Sequence, residues 1–156
     1  MSRVDDGAGM RSYGTRMVGY SGSALHKKLG VKEGTRLALL ATPKTFARAL
    51  GQLPDGVIVR AQARGKLDVI VFFATRRSEL ERRFPVMARA LEPTGGLWVA
   101  YPKRASGVAT DLTFEPVQEI GNECGLLDNK ACPIDDTWTA LRFGYEAVGR
   151  PSMNGA

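Results

Sequence analysis

An α/β fold is predicted for this 156-residue chain: a mostly parallel sheet of about six strands, helices on both faces, and a closing antiparallel hairpin. Three observations lead there. The runs Arg36-Leu37-Ala38-Leu39-Leu40-Ala41 and residues 67–74 (LDVIVFFA) are continuously apolar, the pattern of strands buried on both faces. Helical spacing fills the segments that follow them, so strand and helix alternate and right-handed crossovers build a parallel sheet. Residues 126–132 and 138–145, about a turn at 133–136, then read as two antiparallel strands.

The elements follow in order. In Ala24-Leu25-His26-Lys27-Lys28-Leu29, Leu25 and Leu29 lie four apart on one helical face, and Gly30 is suited to end that helix. The first strand is bounded by Gly34 and Pro43. Thr42-Pro43 is then a cap with proline in the first turn, and Phe46 and Leu50 form the buried stripe of a second helix. Pro54-Asp55-Gly56 turns the chain into a short strand at 57–59, and Gly65 precedes the third strand. Ser78 and Glu81 have capping-box spacing ahead of Leu80, Phe84, Met87, Ala88 and Leu91, which recur at helical spacing. Pro85 inside that helix is expected to kink it. Pro93-Thr94-Gly95-Gly96 leads into a fourth strand at 97–101, and Phe114, Val117, Ile120 and Cys124 mark a last helix stopped by Gly125. Leu37, Leu39, Val69, Val71, Trp98 and Val99 are the expected core. Residues 1–16 and 149–156 read as a flexible arm and tail around one domain at 17–148.

Composition removes several function classes. Hydrophobic residues at 44% exclude disorder as the overall state. No run reaches the ~20 apolar residues of a membrane helix, and the N-terminus has no apolar leader core, so a soluble cytoplasmic protein without a membrane partner is expected. Two cysteines and one histidine support no disulfide framework, no tetrahedral metal site and no histidine-assisted nucleophile. Residues 1–110 carry 19 basic and 8 acidic side chains, and residues 111–156 carry 3 and 8, a polarity that would steer an anionic partner to the basic part. Glu79 and Glu81 interleave with Arg76, Arg77, Arg82 and Arg83, and no aromatic side chains alternate with them, which weakens a nucleic-acid reading.

A parallel sheet followed by a helix and an antiparallel hairpin resembles the C-terminal layout of Rossmann-like methyltransferases. The approach Leu91-Glu92-Pro93-Thr94-Gly95-Gly96-Leu97-Trp98-Val99 is similar to theirs. That resemblance implies a fold and not a function. A nucleotide-binding domain of this class needs glycines after its first strand and commonly an acid near the end of its second. Here Ala41-Thr42-Pro43-Lys44-Thr45 follows the first, and Val59-Arg60-Ala61-Gln62 closes the second. Both requirements fail, so no adenosylmethionine or NAD is expected in the usual mode.

The polar segments form an ordered series. It runs Gly19-Tyr20-Ser21-Gly22, Lys28-Leu29-Gly30, Leu67-Asp68-Val69, Tyr101-Pro102-Lys103-Arg104 with Ser106-Gly107, and Thr110-Asp111-Leu112. Gly125-Leu126-Leu127-Asp128 with Lys130, and Asp136-Thr137-Trp138-Thr139 with Leu141-Arg142, complete it. This series resembles the bacterial family of unknown function DUF 3052, from about Gly19 to about Phe143. Members more often carry Trp-Pro-Lys at Tyr101-Pro102-Lys103 and commonly Trp-Ser-Gly at Trp138-Thr139-Ala140. The resemblance implies no activity.

Ligands of open α/β sheets bind beyond the C-terminal strand ends. Tyr101, Lys103, Arg104 and Ser106 follow the fourth strand, Thr110 and Asp111 return to the same rim, and Lys130 and Asp136 are expected to join from the hairpin. Together they would hold a small anion, with Lys103 as the principal charge. Thr42 and Lys44 form a second anion-site candidate at a helix N-terminus. The plainer readings are that Asp111 caps a helix, the lysines are solvated, and Thr42 starts a helix. His26 is expected to be exposed, Cys124 buried and inert, and Trp138 packed in the core or at an edge. The reading taken is a non-catalytic binding module for a small anionic ligand or a protein partner, with no cofactor, metal or catalytic residue. The alternatives are a divergent methyltransferase-like enzyme and a nucleic-acid-associated protein using the basic portion.

Overall fold

In the computed structural model, which describes residues 24–145, the two apolar runs become the adjacent strands β1 (Arg36–Leu40) and β3 (Leu67–Phe73). β2 (Ile58–Arg60) pairs with the outer side of β1, and β4 (Leu91–Pro102) pairs with β3, all parallel. The hairpin strands β5 (Leu127–Pro133) and β6 (Trp138–Gly144) are antiparallel. β6 inserts between β4 and β5, so the sheet order is β2-β1-β3-β4-β6-β5. The six strands and the closing hairpin are as the sequence predicts.

Alternation along β3 divides the core between the two faces. Ile70 and Phe72 pack with α3 (Arg77–Ala90) and α4 (Phe114–Glu123), where Phe84 meets Phe143 edge-on. Val69, Val71 and Phe73 pack on the other face with Trp98, Leu29 after α1 (Leu25–Lys28), and α2 (Phe46–Leu50). Leu37, Val69, Val71, Trp98 and Val99 are buried as expected, and Leu39 is half-buried. The reason is the shortness of β2, which pairs only with Arg36, Leu37 and Ala38.

Several local expectations are corrected. Phe46 N–H donates to the Pro43 carbonyl, so a turn precedes α2 and the helix begins with Thr45 as N-cap rather than at Thr42. Ser78 lies inside α3, whose N-cap is Arg76, so the capping box is not used. β4 starts directly after α3 and contains Pro93 to Gly96, because Leu91 pairs with Leu67 before a register shift sets Gly96 opposite Val69. His26 is buried, its Nδ1 3.3 Å from the Leu50 carbonyl oxygen, since the short α1 lies against α2. Cys124 is half-buried at the end of α4. The expected arm and tail lie outside the described residues.

β2 and β3 are joined by residues 61–66 alone, too few for a helical crossover. Doubly wound sheets of order 3-2-1-4-5-6 carry a further strand outside the second. Among the described residues no such strand is present, and Ile58 and Val59 are each 49% exposed on the edge strand.

Candidate functional site

The chain leaves β1 toward β2 on one side, and β3 leads to β4 on the other, so strand order reverses between β1 and β3. The crevice beyond their C-terminal ends is where open α/β sheets bind ligands. β1 is followed by Ala41, which at φ +56° is the sole non-glycine residue with positive φ among the described residues. Left-handed backbone at this turn is a place for glycine, and the chain makes the turn without one. Thr42 is half-buried and Lys44 exposed on the loop that follows. On the α2 side, Phe46, Phe73 and Trp138 stack edge-to-face in series at centroid separations of 4.9 and 5.0 Å. Phe46 and Phe73 are buried in the core on this side, and Trp138 packs at its edge as expected. β2 ends in Arg60, whose guanidinium donates to the Arg64 carbonyl.

The residues expected beyond β4 divide into groups. Lys103 is half-buried at the rim, its N–H bonded to the Thr137 carbonyl at 2.7 Å, and this bond brings the hairpin turn with the exposed Asp136 to the same rim. Asp135, not Asp136, organises that turn by accepting from the Thr137 and Trp138 amides. Arg104 is exposed in the 3₁₀ turn Arg104–Ser106, and the Ser106 hydroxyl donates to the Lys103 carbonyl. Thr110 donates to the Thr75 carbonyl at 2.6 Å, and Asp111 accepts the Arg77 N–H at 2.7 Å. Both therefore bind the loop after β4 to the junction of β3 and α3, and the helix Asp111 caps is α3. Tyr101 is buried among the α3 and α4 residues, where burial and then Glu115 raise its phenol above the ordinary value. Lys130 is not at the rim. It lies opposite Arg142, which is opposite Trp98, four residues before Pro102 at the end of β4.

The cysteines carry no sign of activation. The Cys132 thiol is buried, and burial pushes it up against the smaller downward pull of Lys28 and Lys130. Cys124 is raised by burial and by Glu123. Among the described residues no three metal-ligating side chains converge, and no helix is long and apolar enough to cross a membrane. Sequence reasoning missed Ala41 and the Phe46–Phe73–Trp138 series. No residue type announces the first, and the second joins elements far apart in the chain.

No family model and no curated protein matches the chain. Solved structures do. The chain is similar to magnesium protoporphyrin IX methyltransferase from Synechocystis PCC 6803 with bound SAM, at a TM-score of 0.56 and 10% identity, over 78% of this chain and 76% of that one. It is also similar to a SAM-dependent methyltransferase from Aquifex aeolicus, at 0.52 and 14% identity, over 76% and 86%. The fold is therefore of the Rossmann-like methyltransferase type. The expectation of a non-catalytic binding module is corrected by these neighbours, which are methyltransferases.

Proposed function

We propose that this chain is a divergent methyltransferase-like enzyme acting at the crevice between the C-terminal ends of β1 and β3. The observation that carries the reading is the sheet itself: β6 inserted antiparallel between β4 and β5, in a chain that superposes on methyltransferases over most of its length. Adenosylmethionine held in the usual way needs glycine at the turn after β1 and an acid near the end of β2. Ala41 stands at the first place and Arg60 at the second, so the residues do not fit that mode. What this end of the sheet offers instead is the Thr42 hydroxyl and the Lys44 and Lys103 ammonium groups. These groups bind and orient an anionic part of a ligand. The ordered motifs shared with DUF 3052 support placing the chain in that family. Two unpaired thiols favour the reducing cytoplasm as its location.

Calorimetric titration with adenosylmethionine tests the reading. Saturable binding is expected, weaker than roughly 100 μM, because two sets of hydrogen bonds each worth about 1.5–3 kcal/mol are missing. Absence of saturable heat up to low-millimolar ligand would overturn the enzyme assignment.

A further inference from the structure

Away from the rim, α1 and the hairpin border an open cavity of about 360 Å3 lined by Lys27, Lys28, Asn129, Lys130 and Arg142 around the buried Trp98. Every charged side chain of this lining is basic, and no carboxylate lines it among the described residues. Lys130 and Arg142 are directly opposed across β5 and β6, where like charges destabilise the pairing.

Arg142 is the unusual member. It is half-buried, and burial lowers its guanidinium below the ordinary value. A guanidinium has five N–H donors. Among the described residues its side-chain acceptor is Asn129 Oδ1, at 3.2 Å from Nη1. The group lies so close over Gly96 that a Cβ there would overlap Nε, Cζ and Nη2. Arg142 is thus laid against the sheet beside other cations, an arrangement that is costly without an anion. A phosphoryl group has several acceptor oxygens, and it suits a planar guanidinium fork flanked by ammonium groups.

We propose that this cavity binds a small molecule through its phosphate or diphosphate group, with Arg142 as the fork and Lys28 and Lys130 as flanking charges. The site is separate from the crevice: its register at Trp98 lies four residues, or about 13 Å, along β4 from Pro102. It stands or falls independently of methyl transfer.

The test is an amide-resolved NMR titration of the full chain with inorganic pyrophosphate at constant ionic strength. Saturable shifts are expected at Gly96, Asn129, Lys130 and Arg142. Arg142→Gln is expected to weaken binding by about tenfold or more. Lys130→Gln, on an exposed side chain, guards against loss of fold and should weaken it several-fold. Arg82→Gln, which removes the same charge from the exposed side of α3, should leave binding within twofold of the parent. Non-saturable shifts, shifts centred elsewhere, or equal weakening by Arg82→Gln and Arg142→Gln would each overturn the site.

Discussion

Ala41 occupies left-handed backbone at the turn that ends β1, a conformation costing about 1–2 kcal/mol for a residue with a Cβ. Ala41→Gly relieves that cost but loosens the unfolded chain by about 0.4–1 kcal/mol. A net gain of between zero and about 1.6 kcal/mol is expected in urea unfolding. Ala41→Val adds β-branching at positive φ and should lose more than about 1 kcal/mol. Alanine is common in strands and helices alike, so nothing in the sequence marks this position; only the sharp exit from β1 into the loop before α2 does. The opposite holds for Cys132. Its burial and raised thiol predict slow modification by a disulfide reagent at pH 7.5, with fast reaction once urea unfolds the chain.

α3 shows how an element borrows its cap. Asp111, from the loop after β4, accepts the Arg77 N–H in place of the Ser78 and Glu81 pair. Asp111→Ala is expected to cost about 1 kcal/mol, while Ser78→Ala stays within about 0.5 kcal/mol, by chemical denaturation. α4 packs through Gly121, where an added Cβ would overlap the buried Phe143 ring. Gly121→Ala should therefore destabilise by about 1–3 kcal/mol despite alanine's better helix propensity. Periodicity made both helices legible, since Leu80, Phe84 and Met87 or Val117 and Ile120 fall on single buried faces. Their caps and close approaches were not legible, because they depend on residues distant in the chain. The start of β4 lies earlier than the expected residue 97 for a related reason: a register shift takes Pro93 and the two glycines into the strand, where a Cβ at Gly95 would overlap the Asp68 carbonyl.

At the scale of the whole molecule, the N-terminal strand ends are tied by Arg36, which bonds Asp68 at 3.1 Å and Glu92 at 2.9 Å. Burial alone would raise the Asp68 carboxyl, but the side-chain bonds, backbone N–H and charge of Arg36 together hold it below its ordinary 3.8. A carboxyl depressed in the folded state stabilises above its unfolded value, and that stability is lost as pH falls through 3.8 and below. Because the pair is partly exposed, Asp68→Asn is expected to cost only about 1 kcal/mol near neutral pH. Its difference from the parent should shrink below pH 4.

The parallel strands and the closing hairpin are readable from patterning, but the strand order is not, because the insertion of β6 between β4 and β5 is set by pairing between segments far apart in the chain. The candidate site was only partly readable. Lys103 and Asp136 do share a rim, but Lys130 faces the cavity under α1, because its place is set by pairing with Arg142 rather than by the end of a strand. The proposed function requires that the crevice between β1 and β3 bind adenosylmethionine without glycine at the turn after β1 or an acid at the end of β2. Amide shifts on titration with adenosylmethionine measure this most directly. The proposed site predicts weak, saturable shifts confined to residues 41–45, 74–76 and 102–104. Shifts that fail to saturate, or that fall outside these segments, would contradict it.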